Sequence, residues 1–261
     1  MMRLILLLVP AIVSAQSPAS DRTALMTRMR DAALTYADHL QDFLCTELMT
    51  RSADQSGSGK HYKLLETQEL ELGYITHQEH YRLLKVNGKT TDLDKRVKQG
   101  YWKPGGEFGS ALRSIFDPKS AAQFEWDHEE SSAGTRSCVF RYRVAAATRA
   151  YIIQADADHV GMALRGSVTA DCDTGEVTHI VTETEPASVK RGTQDVAIGM
   201  QLDLRYGPVP IGSNTFLLPQ DAIEIGIFGK TLTKAEIKFQ QYRKYDSNSN
   251  IVFDDGSLPA K

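Results

Sequence analysis

The sequence predicts an α+β protein: one strongly curved antiparallel sheet of about 11 strands, wrapped around an N-terminal helix and short inserted helices. Three observations lead there. Apolar residues recur at three- and four-residue spacing only near the start and in one short later segment. From Cys45 onward the dominant period is two, the mark of strands buried on one face. The strand-like segments also outnumber what a flat sheet carries comfortably, so the sheet must curl.

The first helix is predicted over Asp21–Phe43, capped by Ser20 or Asp21. Leu25, Met29, Ala32, Ala33, Tyr36 and Leu40 form its apolar stripe. Strands follow at Cys45–Ala53 and His61–Leu72, on either side of the loop Ser56-Gly57-Ser58-Gly59. A strand over Ile75–Val86 ends at Asn87-Gly88, a strong hairpin signal. The chain to Tyr101 is then charged and aperiodic, and Pro104-Gly105-Gly106 punctuates it. Glu107–Phe116 reads as a short helix with Phe108, Leu112, Ile115 and Phe116 on one side. Asp117-Pro118 opens another turn, and Ser120–Phe124 reads as one more helical turn.

Strands are predicted after it near Phe124–Glu130, Arg136–Ala147, Tyr151–Asp156, Ala163–Asp171 and Glu176–Glu185. More follow near Val196–Tyr206, Ser213–Leu218, Ala222–Phe228 and Lys234–Tyr245. Alternation is plain in places: Phe140, Tyr142 and Val144 share one face, against Val139, Arg141 and Arg143 on the other.

Composition sets the outer bounds. The 261 residues are 41% hydrophobic with a formal charge of −3, which excludes a disordered chain and a multi-span membrane protein. That balance also supplies no basic footprint for nucleic acid. The start reads as an export signal. Met1-Met2-Arg3 precedes an apolar run, Leu4–Val13, and Val13-Ser14-Ala15 predicts cleavage between Ala15 and Gln16. The run is shorter than the roughly 20 residues of a membrane span. A single domain is expected over 16–253, with a loose tail at 254–261 and a periplasmic or secreted location.

Cys45, Cys138 and Cys172 are an odd set, so at least one thiol is unpaired within the chain. In a simple meander the Tyr151–Asp156 strand separates those holding Cys138 and Cys172. Cys172 then falls level with Ala146, roughly 26 Å from Cys138 at about 3.3 Å per residue. A bridge needs Cα atoms within about 7 Å, so Cys138 and Cys172 are predicted not to be bonded to each other.

No reaction motif emerges. Asp173-Thr174-Gly175 matches the aspartic-protease tripeptide, but there is no second copy, and it reads better as a hairpin turn with glycine at positive φ. Asp171–Gly175 resembles only half of a calcium loop. His77 and His80, three apart on a strand, point to opposite faces and do not suit one metal ion. Lys95-Arg96-Val97-Lys98 reads as a solvated loop. No cofactor and no metal is implied. What stands out is aromatic: Tyr101, Trp102, Phe108, Phe116, Phe124 and Trp126 fall within 26 positions around the inserted helix. This segment is either a core plug closing the curved sheet or a movable lid over an apolar pocket.

The order of parts, a helix leading into a long meander with short helices inserted after the third strand, resembles the periplasmic lipoprotein-carrier superfamily. The chain is also similar to a set of uncharacterised exported bacterial proteins. That likeness is carried by Asp42-Phe43-Leu44-Cys45-Thr46, Gly106–Ser110 with Ile115-Phe116-Asp117-Pro118, Leu217-Leu218-Pro219, and Phe239–Tyr245. The resemblance implies a half-open barrel with helices filling its mouth and an apolar cavity that takes acyl chains.

The function expected is therefore a non-enzymatic envelope protein that binds a lipid or the acyl chain of an acylated protein in the concave face. Phe108, Leu112, Ile115, Phe116 and Trp126 are the candidate ligand-binding residues. The alternative is a structural or sensor module that holds a protein partner in the envelope. A hydrolase with scattered catalytic residues is a third reading.

Overall fold

A computed structural model describes residues 19–91, 107–132, 134–155 and 158–245. The predicted signal segment, the stretch holding Tyr101 and Trp102, the Lys95–Lys98 cluster and the tail 254–261 lie outside the described residues.

Helix α1 spans Ala19–Thr35 and ends in a single 3-10 turn, Ala37–His39. It is shorter than predicted, because Phe43 already opens the first strand. Strands β1 (Phe43–Asp54), β2 (Lys63–Ile75), β3 (Gln78–Val86) and β4 (Lys89–Thr90) follow. Helix α2 is Ser110–Phe116, with Gly109 as its N-cap at φ 141°, so Glu107 and Phe108 approach the helix rather than belong to it. Next come β5 (Gln123–Ser132), β6 (Thr135–Val144), β7 (Ile152–Ala155), β8 (Asp158–Gly161) and β9 (Leu164–Asp171). The chain finishes with β10 (Val177–Thr184), β11 (Ala187–Arg191), β12 (Gln194–Ile211), β13 (Asn214–Phe228) and β14 (Thr231–Lys244).

Twelve of these strands form one antiparallel sheet in the order β4-β3-β2-β1-β14-β13-β12-β10-β9-β6-β5, with β11 beside β12. The fold is the α+β, half-barrel arrangement that the sequence predicts. The chain starts at the middle of the sheet, runs outward to β4, and re-enters at the opposite edge with β5. It then works back until β14 pairs with β1 from Phe43↔Lys244 to Asp54↔Leu232. The edge strands β4 and β5 do not pair with each other, so the sheet stays open. Helix α2 lies in the segment that links the two edges, which is why it comes to sit inside the curve.

Both helices pack on the same face. Leu25, Met29 and Ala33 of α1 and Leu112, Ile115 and Phe116 of α2 share one core with Leu70, Phe140, Ile180 and Ile237. Each of these side chains larger than alanine, once fully buried, contributes about 1.5–3 kcal/mol. Polar clasps fix α1: Arg28 donates to the Cys172 carbonyl at 3.1 Å, and the Tyr36 hydroxyl donates to the Leu217 carbonyl at 2.9 Å. The Asn87-Gly88 turn has φ of 50° and 73°, the left-handed pair that a tight hairpin requires.

One expectation is overturned. Cys138 and Cys172 form a disulfide, with Cα atoms 5.2 Å apart. The predicted Tyr151–Asp156 strand does not enter the sheet. A 3-10 turn at Ala146–Thr148, closed by Arg149 at φ 53°, carries the chain away, and β7 and β8 form a separate hairpin. Strand β6 therefore pairs directly with β9, and Cys138 lies opposite Ala170, within reach of Cys172. Cys45 is a free, fully buried thiol.

Candidate functional site

Pleating puts Phe43, Cys45, Glu47 and Met49 of β1 on the concave face. Register continues that face through Leu70, Leu72 and Tyr74 of β2 to Glu79, Tyr81 and Leu83 of β3. On the other side it runs through Ile237 and Phe239 of β14 to Ala222 and Glu224 of β13, then Leu202 and Leu204 of β12.

The predicted aromatic segment falls here. Phe108 is buried, with its ring 5.4 Å from Phe43 and 5.5 Å from Phe239. Phe116 stacks on Phe124 at 5.3 Å. Ile115 and Leu112 are buried beside them. Trp126 stands apart from that group. It meets Phe140 edge-on at 5.3 Å and carries the Arg22 guanidinium 4.6 Å above its ring.

Among the described residues, two cavities flank α2. One, of about 370 Å³, runs between α1 and the start of β13. Ala32, Ala33, Tyr36, Leu40, Leu112, Phe216 and Leu217 supply its hydrocarbon walls, and His39 and Glu176 stand at them. The other, of about 180 Å³, lies on the opposite side of α2, bounded by Ser110, Ala111 and Ser114 of the helix. Its far wall is Thr182, Met200, Leu202 and Glu224, closed by Glu107 and the Ala150-Tyr151-Ile152 segment. Of the predicted ligand-binding residues, Leu112 lines the larger cavity. Phe108, Ile115, Phe116 and Trp126 line neither of these two.

The feature missed in the sequence is a group of acids, Glu47 and Glu107 buried and Glu79 and Glu224 half-buried. Glu47 is fully buried, and neither of its carboxyl oxygens has a hydrogen-bond partner among the described residues. Glu107 is 2% exposed, and its Oε1 likewise has none. The Tyr206 hydroxyl donates to the Glu107 backbone carbonyl at 3.1 Å. Glu79 accepts from the Phe108 N–H at 3.2 Å and from the Tyr81 hydroxyl at 2.8 Å. The Tyr81 oxygen lies 3.5 Å from Glu107 Oε2.

Burial, reinforced by the nearby charges of Glu224 and Glu79, pushes the Glu47 carboxyl up to about 8. Burial alone pushes Glu224 up to about 7. Glu107 is raised well above the carboxylate range by burial and then by Glu224, Glu47 and Glu79. As neutral acids these groups carry an O–H donor beside their acceptor oxygen. An acceptor left unpaired in the interior costs about 1–3 kcal/mol.

For Glu47 the sequence carries a signal. Glu47 shares strand parity with Phe43, Cys45 and Met49, so an alternation reading already turns it inward.

The weaker motifs resolve plainly. In Asp171–Gly175, Asp171 Oδ1 accepts the N–H groups of Asp173 and Thr174 at 2.9 and 2.8 Å, and Gly175 has φ 82°. It is the β9–β10 turn. His77 lies in the β2–β3 turn rather than on the strand, its Nδ1 3.0 Å from the Ala37 carbonyl, and His80 lies on β3. Glu129 lies beside Cys138 and Cys172, but those sulfurs are bonded to each other and offer no thiolate to a metal. No helix among the described residues is long and apolar enough to cross a membrane.

No protein-family model and no curated protein matches the chain. Several solved structures do. A DUF1329 family protein from Desulfovibrio piger aligns with 91% of this chain and 96% of its own, at 10% identity and TM-score 0.37. A putative outer membrane lipoprotein-sorting protein domain from Vibrio parahaemolyticus aligns over 92% and 95%, at 12% identity and TM-score 0.37. A LolA superfamily protein from Nitrosomonas europaea aligns over 86% and 93%, at 8% identity and TM-score 0.32.

Proposed function

We propose that this protein is exported and, without catalysing a reaction, binds a lipid or lipoprotein acyl chain in the concave face of its sheet. The observation that carries the reading is the pair of cavities beside α2. The larger, at about 370 Å³, falls within the roughly 300–1,000 Å³ range of small-molecule sites. Its walls are mainly hydrocarbon from α1, α2 and β13. An acyl chain entering it gains about 0.8 kcal/mol for each buried CH₂. Phe108, Ile115 and Phe116 then hold α2 in place, and Leu112 touches the ligand. Gly109, the glycine that caps α2, is where the helix would pivot to admit a longer chain.

Native mass spectrometry of the purified protein, followed by lipid extraction, tests this reading. Co-purifying lipid, or saturable uptake of a fluorescent fatty acid, is the expected result. Ala32→Trp fills the larger cavity from a half-buried position on α1 without burying a charge, and should reduce uptake about tenfold. Absence of uptake by well-folded protein would leave the reading in which the same face holds a protein partner.

A further inference from the structure

We propose, building on the apolar-ligand reading, that the smaller cavity selects amphiphiles whose head is a cationic amine, with the ammonium seated between the carboxyls of Glu107 and Glu224. The walls divide by chemistry. Met200, Leu202 and Ile152 supply a hydrocarbon side, while Glu107, Glu224, Ser110 and Thr182 bring oxygen atoms. A dry cavity of about 150 Å³ takes a molecule of about six carbons, so about 180 Å³ accepts a short tail below the head.

Glu107 supplies the pointer to a ligand. It is almost wholly buried, it lines the cavity, and its Oε1 has no partner among the described residues. An ammonium offers three N–H donors and no acceptor, which complements carboxyl and hydroxyl oxygens. Among the described residues, the lining contains no lysine, arginine or histidine to receive an anionic head. The other ionisable groups acting on Glu107 are Glu47 and Glu79, both acids, so the local field favours a cation further. Burial and then its acidic neighbours favour the neutral form of Glu107 when the cavity is empty. Binding therefore transfers the Glu107 carboxyl proton to solvent and leaves a carboxylate against the ammonium.

Calorimetric titration of the full chain at pH 7 with hexylamine, hexanol and hexanoate tests this. Hexylamine should bind at least about tenfold more tightly than hexanoate, with hexanol between them. Its measured heat should change with the ionisation enthalpy of the buffer, because a proton is released. In Glu107→Gln and in Glu224→Gln, each checked for folding by thermal melting, the preference for amine over alcohol should fall to about one. Glu224 is less deeply placed than Glu107, so its variant keeps the test informative should Glu107→Gln fail to fold. Equal binding of all three compounds overturns the amine proposal and leaves the acyl-chain reading standing. Binding of none overturns both for this cavity. An unchanged preference in the folded variants removes the carboxyls as its cause.

Discussion

The hydroxyl of Tyr142 on β6 lies 2.6 Å from Thr182 Oγ1 on β10, across the intervening strand β9. The residue between them in register is Gly166, opposite Tyr142 on one side and Thr182 on the other. With no side chain there, the two polar groups meet over the glycine, and Thr182 is held in the wall of the smaller cavity.

Gly166→Ala should therefore be among the more damaging single-methyl additions in the sheet. A Cβ at this position would stand 1.8 Å from the Val181 carbonyl oxygen, which is backbone and cannot swing aside. The expected loss is at or above the about 1–3 kcal/mol of an overpacked core. Tyr142→Phe removes only the hydroxyl contact and should cost about 1 kcal/mol. Urea denaturation of both variants checks the order, and equal midpoints would sink the steric account.

The disulfide gives a second expectation. Non-reducing peptide mapping should recover Cys138 joined to Cys172, with Cys45 unpaired. The bridge closes a loop with a sequence separation of 34, and its removal in Cys138→Ala/Cys172→Ala should cost about 3–4 kcal/mol on the chain-entropy account. Cys45 should stay unreactive toward a thiol reagent until the protein unfolds. It is fully buried, and burial followed by the neighbouring Glu47 holds its thiol well above the usual range. Rapid labelling of the native protein would contradict this placement.

Export supplies a third. Secreted material should carry Gln16 as its first residue, or the cyclised form of it, because Val13-Ser14-Ala15 presents small residues where a signal peptidase reads. Intact mass decides, and a product that keeps Met1–Ala15 would refute the site.

What was legible in the sequence, and what was not, follows the range of the interactions. Alternation in Cys138–Val144 placed Phe140, Tyr142 and Val144 on one face, and all three are buried. The Asn87-Gly88 hairpin and the Asp171–Gly175 turn are local events, and residue types alone marked them. Strand order was harder, because nothing within a few residues of Cys138 says that β7 and β8 leave the sheet. That single step misplaced the disulfide. The predicted strands Ser213–Leu218 and Ala222–Phe228 are one strand, because β13 runs through Pro219. Tyr206 lies opposite Pro219 and Arg205 opposite Asp221, so Gln220 is an extra residue and the proline sits at a bulge. Glu224 alternates with Ile223 and Ile225, so parity turns it outward, and Glu107 lies on no strand; Glu47 and Glu79 were visible by parity. Their depth was not, because it depends on curvature that brings β1, β13 and the approach to α2 around one interior.

The last expectation concerns Glu47 and pH. Its carboxyl sits at about 8 in the folded protein and at about 4.3 when unfolded. For an acid whose folded value is raised, the stabilisation is fully present below the unfolded value and is lost as pH rises through the folded one. The native state should therefore weaken between about pH 4.3 and pH 8, by up to about 1.4 kcal/mol per pH unit for this one group. The groups that act on or sense Glu47 are Glu79 and Tyr81 from β3, Glu224 from β13, Glu107 beside α2, Cys45 on its own strand and Tyr242 from β14. Glu224, raised to about 7, adds to the slope in the same direction. Glu47→Gln keeps the shape and removes the titration. Urea unfolding at pH 5, 7 and 9 should thus show the variant gaining on the wild type as pH rises, with the two closest at pH 5. Parallel curves across that range would mean that Glu47 titrates as an ordinary exposed acid and would remove it from the buried group.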